Sequence, residues 1–267
     1  GFVGRAILRL QFVLTGRLRS IGGSLGLDLM LQYPRQIGLV GFIFVLAHPV
    51  ILFIADSAYV SFLDPRVNLP RALALSAVLG ALTMLIATTL WRTTLGLKYE
   101  YWRIAHAVLA LFVVFIGVVH VLQVGHYVAP WWKQTIWVMA TATAIALLVN
   151  TRAIVPLRLR KTPYDVTEVR QERGNVWTLV LKARGHEGLR FEPGQYVWLT
   201  LGPSPMSFQQ HPFSLSSSAD CPGMPELTIK SLGDFTSAIG DVPPGTTAFL
   251  EGPYGAFTPA RNDGTDA

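Results

Sequence analysis

The chain has 267 residues, of which 51% are apolar and only 14% are charged. Because soluble proteins carry about 25% charged residues, this composition excludes a disordered chain, a nucleic-acid-binding arm and an ordinary cytosolic enzyme. The net charge of +6 is uneven: residues 1–150 hold 11 basic and 4 acidic residues, and residues 151–267 hold 11 and 12. A basic excess confined to the apolar half argues against a nucleic-acid partner and is typical of cytoplasmic loops in membrane proteins.

Four long apolar runs occupy residues 36–55, 71–91, 103–124 and 134–150. Each reaches the roughly 17–25 residues that a helix needs to cross the hydrocarbon layer, so we predict four membrane spans. A fifth run, residues 1–16, carries Arg5 and Arg9, and we interpret it as the remnant of another span. The alternative, a set of buried helices in a soluble core, is disfavoured because the runs barely alternate between apolar and polar faces.

Positive charges predict the orientation of these spans. They cluster in residues 17–35, which include Arg17, in residues 92–103, and after residue 151. The intervening loops hold little positive charge. We therefore expect residues 17–35, 92–103 and everything after 151 on the cytoplasmic side.

Beyond residue 155 the pattern changes to short alternating runs that are typical of β-strands. These runs are 164–170, 176–183, 195–201, 226–231 and 246–251. Pro156 and Pro163 mark a linker, and clusters of Gly and Pro separate the runs. The pattern predicts a small antiparallel β-barrel over residues 156–260, after a membrane domain over residues 1–155. The single cysteine, Cys221, excludes an intrachain disulfide and a Cys-ligated iron–sulfur cluster.

Three histidines lie inside the predicted spans, where ionisable side chains are costly and commonly functional. His106 and His120 are 14 residues apart, about 21 Å and close to four helical turns, so they face the same side of one helix. His48, on a neighbouring helix, lies near the depth of His120. A planar haem held between His48 and His120 is therefore geometrically reasonable, because neutral imidazole suits haem iron. The alternative is that the histidines make hydrogen-bonded contacts between helices.

A second group of residues suits a flavin. The segment His211-Pro212-Phe213-Ser214 follows the predicted strand 195–201, and Ile229-Lys230 and Gly233-Asp234-Phe235-Thr236 come later. Ser214 and Thr236 offer hydroxyls, Gly233 permits close backbone approach, and a short helix after it would offer free N–H groups to phosphate. Lys230 is read equally well as a charge at the end of a strand.

The runs GLVGFIFVLAHPVILF and LKYEYWRIAHAVLALFVVFIGVVH resemble the transmembrane domain of ferric reductases and NADPH oxidases, which are membrane flavocytochromes b. The order of motifs after residue 190 is similar to the FAD-binding barrel of ferredoxin–NADP reductases, in the branch that is fused to ferric reductases. The resemblance implies an α-helical membrane bundle of at least four or five spans followed by that barrel. It implies haem ligands at His48, His106 and His120. The partner of His106 should lie near position 34, where this chain has Pro34.

The resemblance also implies FAD, haem b and NAD(P)H as cofactors, with the flavin contacted by His211, Pro212, Phe213, Ser214, Ile229, Lys230, Gly233 and Thr236. It implies a multi-pass protein of the cell (inner) membrane, of bacterial type, with a cytoplasmic flavin domain. Electrons would pass from NAD(P)H to a small acceptor such as ferric iron, dioxygen or quinone, with no catalytic proton-transfer residue. Because no Gly-x-Gly-x-x-Gly appears, we expect the NAD(P)-binding domain to be missing from this piece. The alternatives are a degenerate flavin- or haem-binding membrane protein, acting as a redox sensor or partner subunit, and a plain membrane structural protein.

Overall fold

The computed structural model describes residues 2–15, 34–125 and 128–259. These residues fall into two compact units, of which the first ends at Leu148 and the second begins at Val149. Of the basic segment predicted at 17–35, residues 17–33, including Arg17, lie outside the described residues. We treat each unit by itself.

The first unit is helical, with α1 at Phe2–Thr15, α2 at Pro34–Ala55, α3 at Leu69–Leu90, α4 at Tyr99–Val124 and α5 at Trp131–Val149. Four described helical segments are long and apolar enough to cross a membrane, with mean hydropathies between 1.7 and 2.6. They run over Gln36–Ala55, Leu69–Leu90, Tyr99–Val124 and Trp131–Leu159. The four predicted spans are therefore confirmed, and the fifth predicted run forms the 14-residue helix α1.

Local signals explain where these helices begin and end. The side chain of Asn68 caps α3 by accepting a hydrogen bond from the Arg71 amide at 3.0 Å. Gly125 ends α4 in the left-handed conformation, with φ +65°. The predicted linker at Pro156 is instead helical, because a π-helical turn at Asn150–Ile154 leads directly into α6 at Val155–Leu159. Proline is tolerated there because the first turn of a helical segment needs no amide hydrogen.

Glycines bring α1 close to α2. A Cβ on Gly4 would lie 2.7 Å from a methyl of Val45, and a Cβ on Gly41 would lie 3.0 Å from a methyl of Ile7. Small residues of this kind let membrane helices approach without a side chain between them. α1 and α2 therefore pack side by side at Gly4 and Gly41.

The second unit is an antiparallel sheet of six strands in the order β4-β3-β6-β1-β2-β5. The strands are β1 at Tyr164–Glu172, β2 at Val176–Ala183, β3 at Tyr196–Leu201, β4 at His211–Ser214, β5 at Glu226–Lys230 and β6 at Thr247–Tyr254. Five of them match the predicted β runs. The sixth, β4, is missed by pattern alone because it is only four residues long and contains Pro212.

The sheet closes on itself at one point. An antiparallel bridge joins Leu215, just after β4, to Leu227 in β5. The Ser216 amide donates to the carbonyl of Glu226 at 2.9 Å beside this bridge. The interior holds fully buried aliphatic side chains, among them Leu179, Leu181, Val197, Leu199, Leu227 and Ile229. The fold class expected from the sequence, membrane helices followed by a small antiparallel FAD-binding barrel, is confirmed.

Candidate functional site

A cavity inside the helical unit contains two of the three predicted metal ligands. His48 from α2 and His120 from α4 both line it, together with mostly aliphatic and aromatic side chains. The cavity has a volume of about 130 Å³, and its lining is mostly apolar. Two imidazoles from facing helices in an apolar pocket are the donor set that a six-coordinate haem requires. The residues present therefore fit this group.

His106 has different surroundings, although it lies on the same helix as His120. Its Nδ1 atom is 3.4 Å from the hydroxyl of Thr89 on α3, and its ring packs against Trp102 with 5.1 Å between ring centroids. His106 is absent from the lining of the cavity that His48 and His120 share. A role of His106 as a metal ligand stays a prediction.

At the position where the resemblance predicts the partner of His106, Pro34 begins α2. Its carbonyl accepts a hydrogen bond from Nε2 of Gln11 on α1 at 2.9 Å. The same amide nitrogen would be 3.2 Å from a Cβ on Gly38, one turn further along α2. The side chain of Gln11 therefore fills the space beside the first turn of α2.

Arg5 and Arg9 of α1 stand out in the sequence only as charges in an apolar run. The structure places both at the cavity. Arg5 donates to the carbonyl of Gly117 at 3.4 Å, and Arg9 donates from Nε to the hydroxyl of Thr141 at 3.1 Å. Both line the cavity with the histidines. The signal that could have identified them is the cost of a charge in the bilayer, which makes such residues functional candidates by default.

The predicted flavin residues meet where the barrel is open along a seam between β4 and β5. One edge of β4 pairs with β3, and one edge of β5 pairs with β2. Within residues 128–259 no ladder pairing joins the facing edges of β4 and β5 beyond the bridge of Leu215 to Leu227. Strand edges of this kind present backbone N–H and C=O groups, which suit the heteroatoms along the edge of a flavin ring.

An aromatic pair lies at this seam. The His211 ring stacks on Phe235, with 4.0 Å between centroids and 26° between planes. Phe213 lies further along the same face, 6.2 Å from Phe235. The sequence motif contained Phe235 without marking it as a site residue, since the stack depends on packing between β4 and the helix α7 at Asp234–Ser237.

The remaining predicted flavin residues differ in exposure. Pro212 and Ser214 point outward from β4, and no described residue makes a hydrogen bond with the Ser214 hydroxyl. Lys230 is exposed at the end of β5. Ile229 is only 1% exposed and its side chain packs in the core, so this residue could contact a cofactor only through its backbone.

Thr236 has a local structural role beside its predicted one. Its hydroxyl accepts hydrogen bonds from the amides of Leu232 and Gly233, at 2.8 and 3.0 Å, and lies 3.1 Å from the Gly233 carbonyl. These bonds form the cap of α7, which has only four residues. The hydroxyl therefore fixes the turn at Gly233 and, through it, the position of Phe235.

A chain of side-chain hydrogen bonds leads to the seam across the outer face of the barrel. Arg170 donates to Glu172 at 3.0 Å, and this hydrogen bond lowers the pKa of Glu172. Glu172 accepts from Thr178, which is 3.1 Å from Thr228, and Thr228 donates to Ser216 at 3.0 Å. The chain of hydrogen bonds ends beside the bridge of Leu215 to Leu227 that closes the barrel.

Comparison with known proteins gives two family matches. Residues 1–117 match the family described as "Ferric reductase like transmembrane component", and residues 164–258 match the family described as "FAD-binding domain". Together these matches cover most of the helical unit and nearly all of the barrel.

Curated relatives share parts of the chain. The "Probable dihydroorotate dehydrogenase B (NAD(+)), electron transfer subunit" of Methanopyrus kandleri is 33% identical over 97 residues, which is 36% of this chain and 34% of that protein. The "Probable respiratory burst oxidase homolog protein I" of Arabidopsis thaliana is 30% identical over 141 residues, 52% of this chain and 14% of that protein. This chain therefore matches well under half the length of either relative.

Among solved structures, "Ferredoxin reductase in carbazole 1,9a-dioxygenase" is 22% identical to this chain, with a TM-score of 0.32. The match covers 36% of this chain and 29% of that one.

Proposed function

Because this chain joins a ferric reductase-like transmembrane component to an FAD-binding domain, we propose that it is the membrane and flavin portion of an electron-transfer oxidoreductase. In this proposal, electrons pass from NAD(P)H through FAD and a b-type haem to an acceptor such as ferric iron, dioxygen or quinone. The flavin domain lies on the cytoplasmic side of the cell (inner) membrane, on the same side as the basic residues after position 151.

One observation carries the proposal: His48 and His120 come from two different membrane helices and line the same apolar cavity. A hydrogen-bonded contact between these helices would need no cavity beside the two imidazoles. His48 and His120 would hold the iron of such a group through their imidazole nitrogens. The surrounding apolar side chains, including Phe53, Leu82 and Val113, would exclude water from the site.

When bound, FAD converts the two electrons of a hydride into single electrons, and haem b carries them one at a time. The chain's own residues bind and orient these groups. On the barrel, the stacked pair of His211 and Phe235 offers a platform for an aromatic ring system. The exposed Ser214 hydroxyl and Lys230 ammonium groups offer a donor and a positive charge to the rest of the cofactor.

The haem assignment is tested by the reduced-minus-oxidised absorption spectrum of the full chain purified in detergent, with haem quantified per chain. We expect one low-spin b haem per chain. His48→Ala or His120→Ala should abolish its low-spin spectrum, because each removes one of the two imidazoles that would bind the iron. His186→Ala is the control, since it removes a histidine of the barrel that bonds to the Pro163 carbonyl and should leave the spectrum unchanged. Absence of haem from the wild type, or an unchanged spectrum in His48→Ala, refutes the assignment.

The flavin assignment is tested by FAD content after gel filtration. Ser214→Ala combined with Thr236→Ala should lower FAD retention, because the first removes a hydroxyl at the seam and the second removes the cap that positions Phe235. Ser237→Ala is the matched control, because it removes an exposed hydroxyl from the same short helix. If the double variant retains as much FAD as Ser237→Ala, these hydroxyls do not support the flavin.

A second candidate function rests on Pro34. Proline cannot bind iron, and Gln11 fills the space beside it. A chain that lacks the inner ligand could bind flavin and a single haem without carrying electrons across the membrane, as a redox sensor or partner subunit. Photoreduction of bound FAD in the full chain separates the two functions. Subsequent reduction of the haem supports electron transfer, and a haem that stays oxidised beside reduced FAD supports the sensor.

A further inference from the structure

The loop between β3 and β4, residues 202–210, carries two exposed apolar side chains. Met206 is 40% exposed and Phe208 is 56% exposed, whereas Pro205 and Gln210 beside them are buried and anchor the loop on the barrel. None of the nine residues of this loop is charged. Large apolar side chains that lie together on a surface indicate a site of interaction more often than scattered ones do.

This loop lies where the chain leaves an apolar, membrane-capable segment. Nη2 of Arg160 is 4.0 Å from Sδ of Met206. Arg160 is the first residue after the segment Trp131–Leu159, whose length and hydropathy suit a membrane span. Leu157, on the helix α6 that ends this segment, is exposed as well. The contact with Arg160 therefore places Met206 at the level of the membrane boundary.

The basic residues at this exit lack acidic partners. Among the described residues, no carboxylate forms an ion pair with Arg158, Arg160 or Lys161. Elsewhere on the barrel, Arg170 and Arg184 do pair with carboxylates. Cations without acidic partners beside exposed apolar side chains complement a bilayer that carries anionic lipids, because its headgroups are negative and its interior is apolar.

We propose that the loop 202–210 and the three basic residues form a lipid-docking surface of the barrel. Met206 and Phe208 enter the headgroup region of the leaflet at which the segment Trp131–Leu159 ends, and the basic side chains bind lipid phosphates. This inference goes beyond electron transfer and does not depend on the haem. Because the loop leads directly into His211 of β4, docking would also hold that side of the seam near the membrane surface.

The test uses a fluorophore in the full chain. Cys221→Ser removes the single cysteine, and Gln209→Cys then offers one labelling site next to Phe208. The labelled chain is reconstituted in phosphatidylcholine vesicles, with or without phosphatidylglycerol, whose acyl chains carry a quencher near the headgroup. The reference site is Arg173→Cys, in the turn after β1, about 26 Å along this strand from Tyr164. The lipid quencher should quench the fluorophore at position 209 and leave the one at position 173 bright.

Substitutions separate the apolar contribution from the electrostatic one. Met206→Gln combined with Phe208→Gln should abolish quenching at position 209, and Met224→Gln, at another exposed methionine, is the matched control. Arg160→Gln should lower the ratio of quenched to bright fluorophore about fivefold, and only in anionic vesicles, as expected for one basic residue at such a surface. Arg173→Gln is its matched control, because it removes an exposed arginine at the far end of β1.

The outcomes decide between a lipid surface and other partners. Equal quenching at positions 209 and 173 overturns the proposal, as does full quenching in both the double variant and Arg160→Gln. The single substitution keeps the test decisive if the double variant does not fold. Quenching that changes with the protein-to-lipid ratio assigns the surface to a second copy of this chain and overturns the lipid partner. Each of these results leaves the haem spectrum unaffected, so failure here is distinct from failure of the proposed function.

Discussion

The contact between the segment before β3 and the segment after β6 can be tested with two glycines. Gly194 has φ +89°, and a Cβ added there would lie 2.1 Å from the carbonyl oxygen of Phe257. Gly185 has φ +79°, and a Cβ added there would meet no atom within 4 Å. Changing each glycine to alanine therefore imposes similar backbone strain, and only Gly194→Ala adds a collision with backbone.

The expected magnitudes follow from this difference. A non-glycine residue in the left-handed region costs about 1–2 kcal/mol, which both variants share. The collision at Gly194 cannot be relieved by rotating a side chain, because the obstructing atom is a backbone oxygen. We expect Gly185→Ala to lose about 1–2 kcal/mol of unfolding free energy and Gly194→Ala to lose about 3 kcal/mol or more. For a domain of about 100 residues, each kcal/mol corresponds to about 4–8 °C in Tm.

The assay is thermal release of FAD from the full chain in detergent, followed by the rise in flavin fluorescence. Gly194→Ala should release FAD at least about 12 °C below the wild type, and Gly185→Ala about 4–16 °C below it. A refolded wild-type sample checks that release reports unfolding of the barrel. Equal shifts in the two variants would refute the reasoning, because the contact with Phe257 would then contribute nothing beyond backbone strain.

Three further predictions concern the barrel. Phe235→Ala removes the ring stacked on His211 and should raise the dissociation constant of FAD about 2- to 10-fold. This is the effect expected for an aromatic pair worth about 0.5–1.5 kcal/mol. An unchanged dissociation constant in an FAD titration would show that the stack does not support FAD. Tyr254→Phe removes a 2.8 Å hydrogen bond to Glu251, which is 4% exposed, and should cost about 1–3 kcal/mol in chemical unfolding. Burial raises the pKa of Tyr164 to about 12, above the value near 10 in the unfolded chain. The contribution of Tyr164 to the free energy of unfolding should therefore be fully present below pH 10. It should fall by about 2–3 kcal/mol as the pH rises to 12. Tyr164→Phe should remove this alkaline loss, and a loss that persists in the variant would contradict the assignment.

Much of the fold could be predicted from local patterns. The bounds of three of the four spans agree with the structure to within about four residues, because an apolar run long enough for the bilayer has few alternative structures. Pro156 was misread as part of a linker, because its place in the first turn after a π-helical segment cannot be seen in the composition. Strand β4 was missed because four residues containing Pro212 carry too little alternation to be recognised.

The candidate site was predictable in part. Helical spacing and depth predicted that His48 and His120 lie together, and the structure places both at one cavity. The same spacing put His106 on the face of His120, but spacing on one helix does not say which neighbours that face meets. At the depth of His106 that neighbour is Thr89 on α3.

The sequence by itself determined the membrane spans, the change from helices to strands and the two histidines at matching depth. These properties depend on hydropathy and on spacing within single elements. Only the tertiary structure decided that Arg9 meets Thr141, 132 residues away, and that the ring of Phe235 stacks on His211. The physical reason is that such contacts depend on how whole helices and strands pack, through close approaches such as that of Gly4 to Val45, and local pattern does not specify that packing.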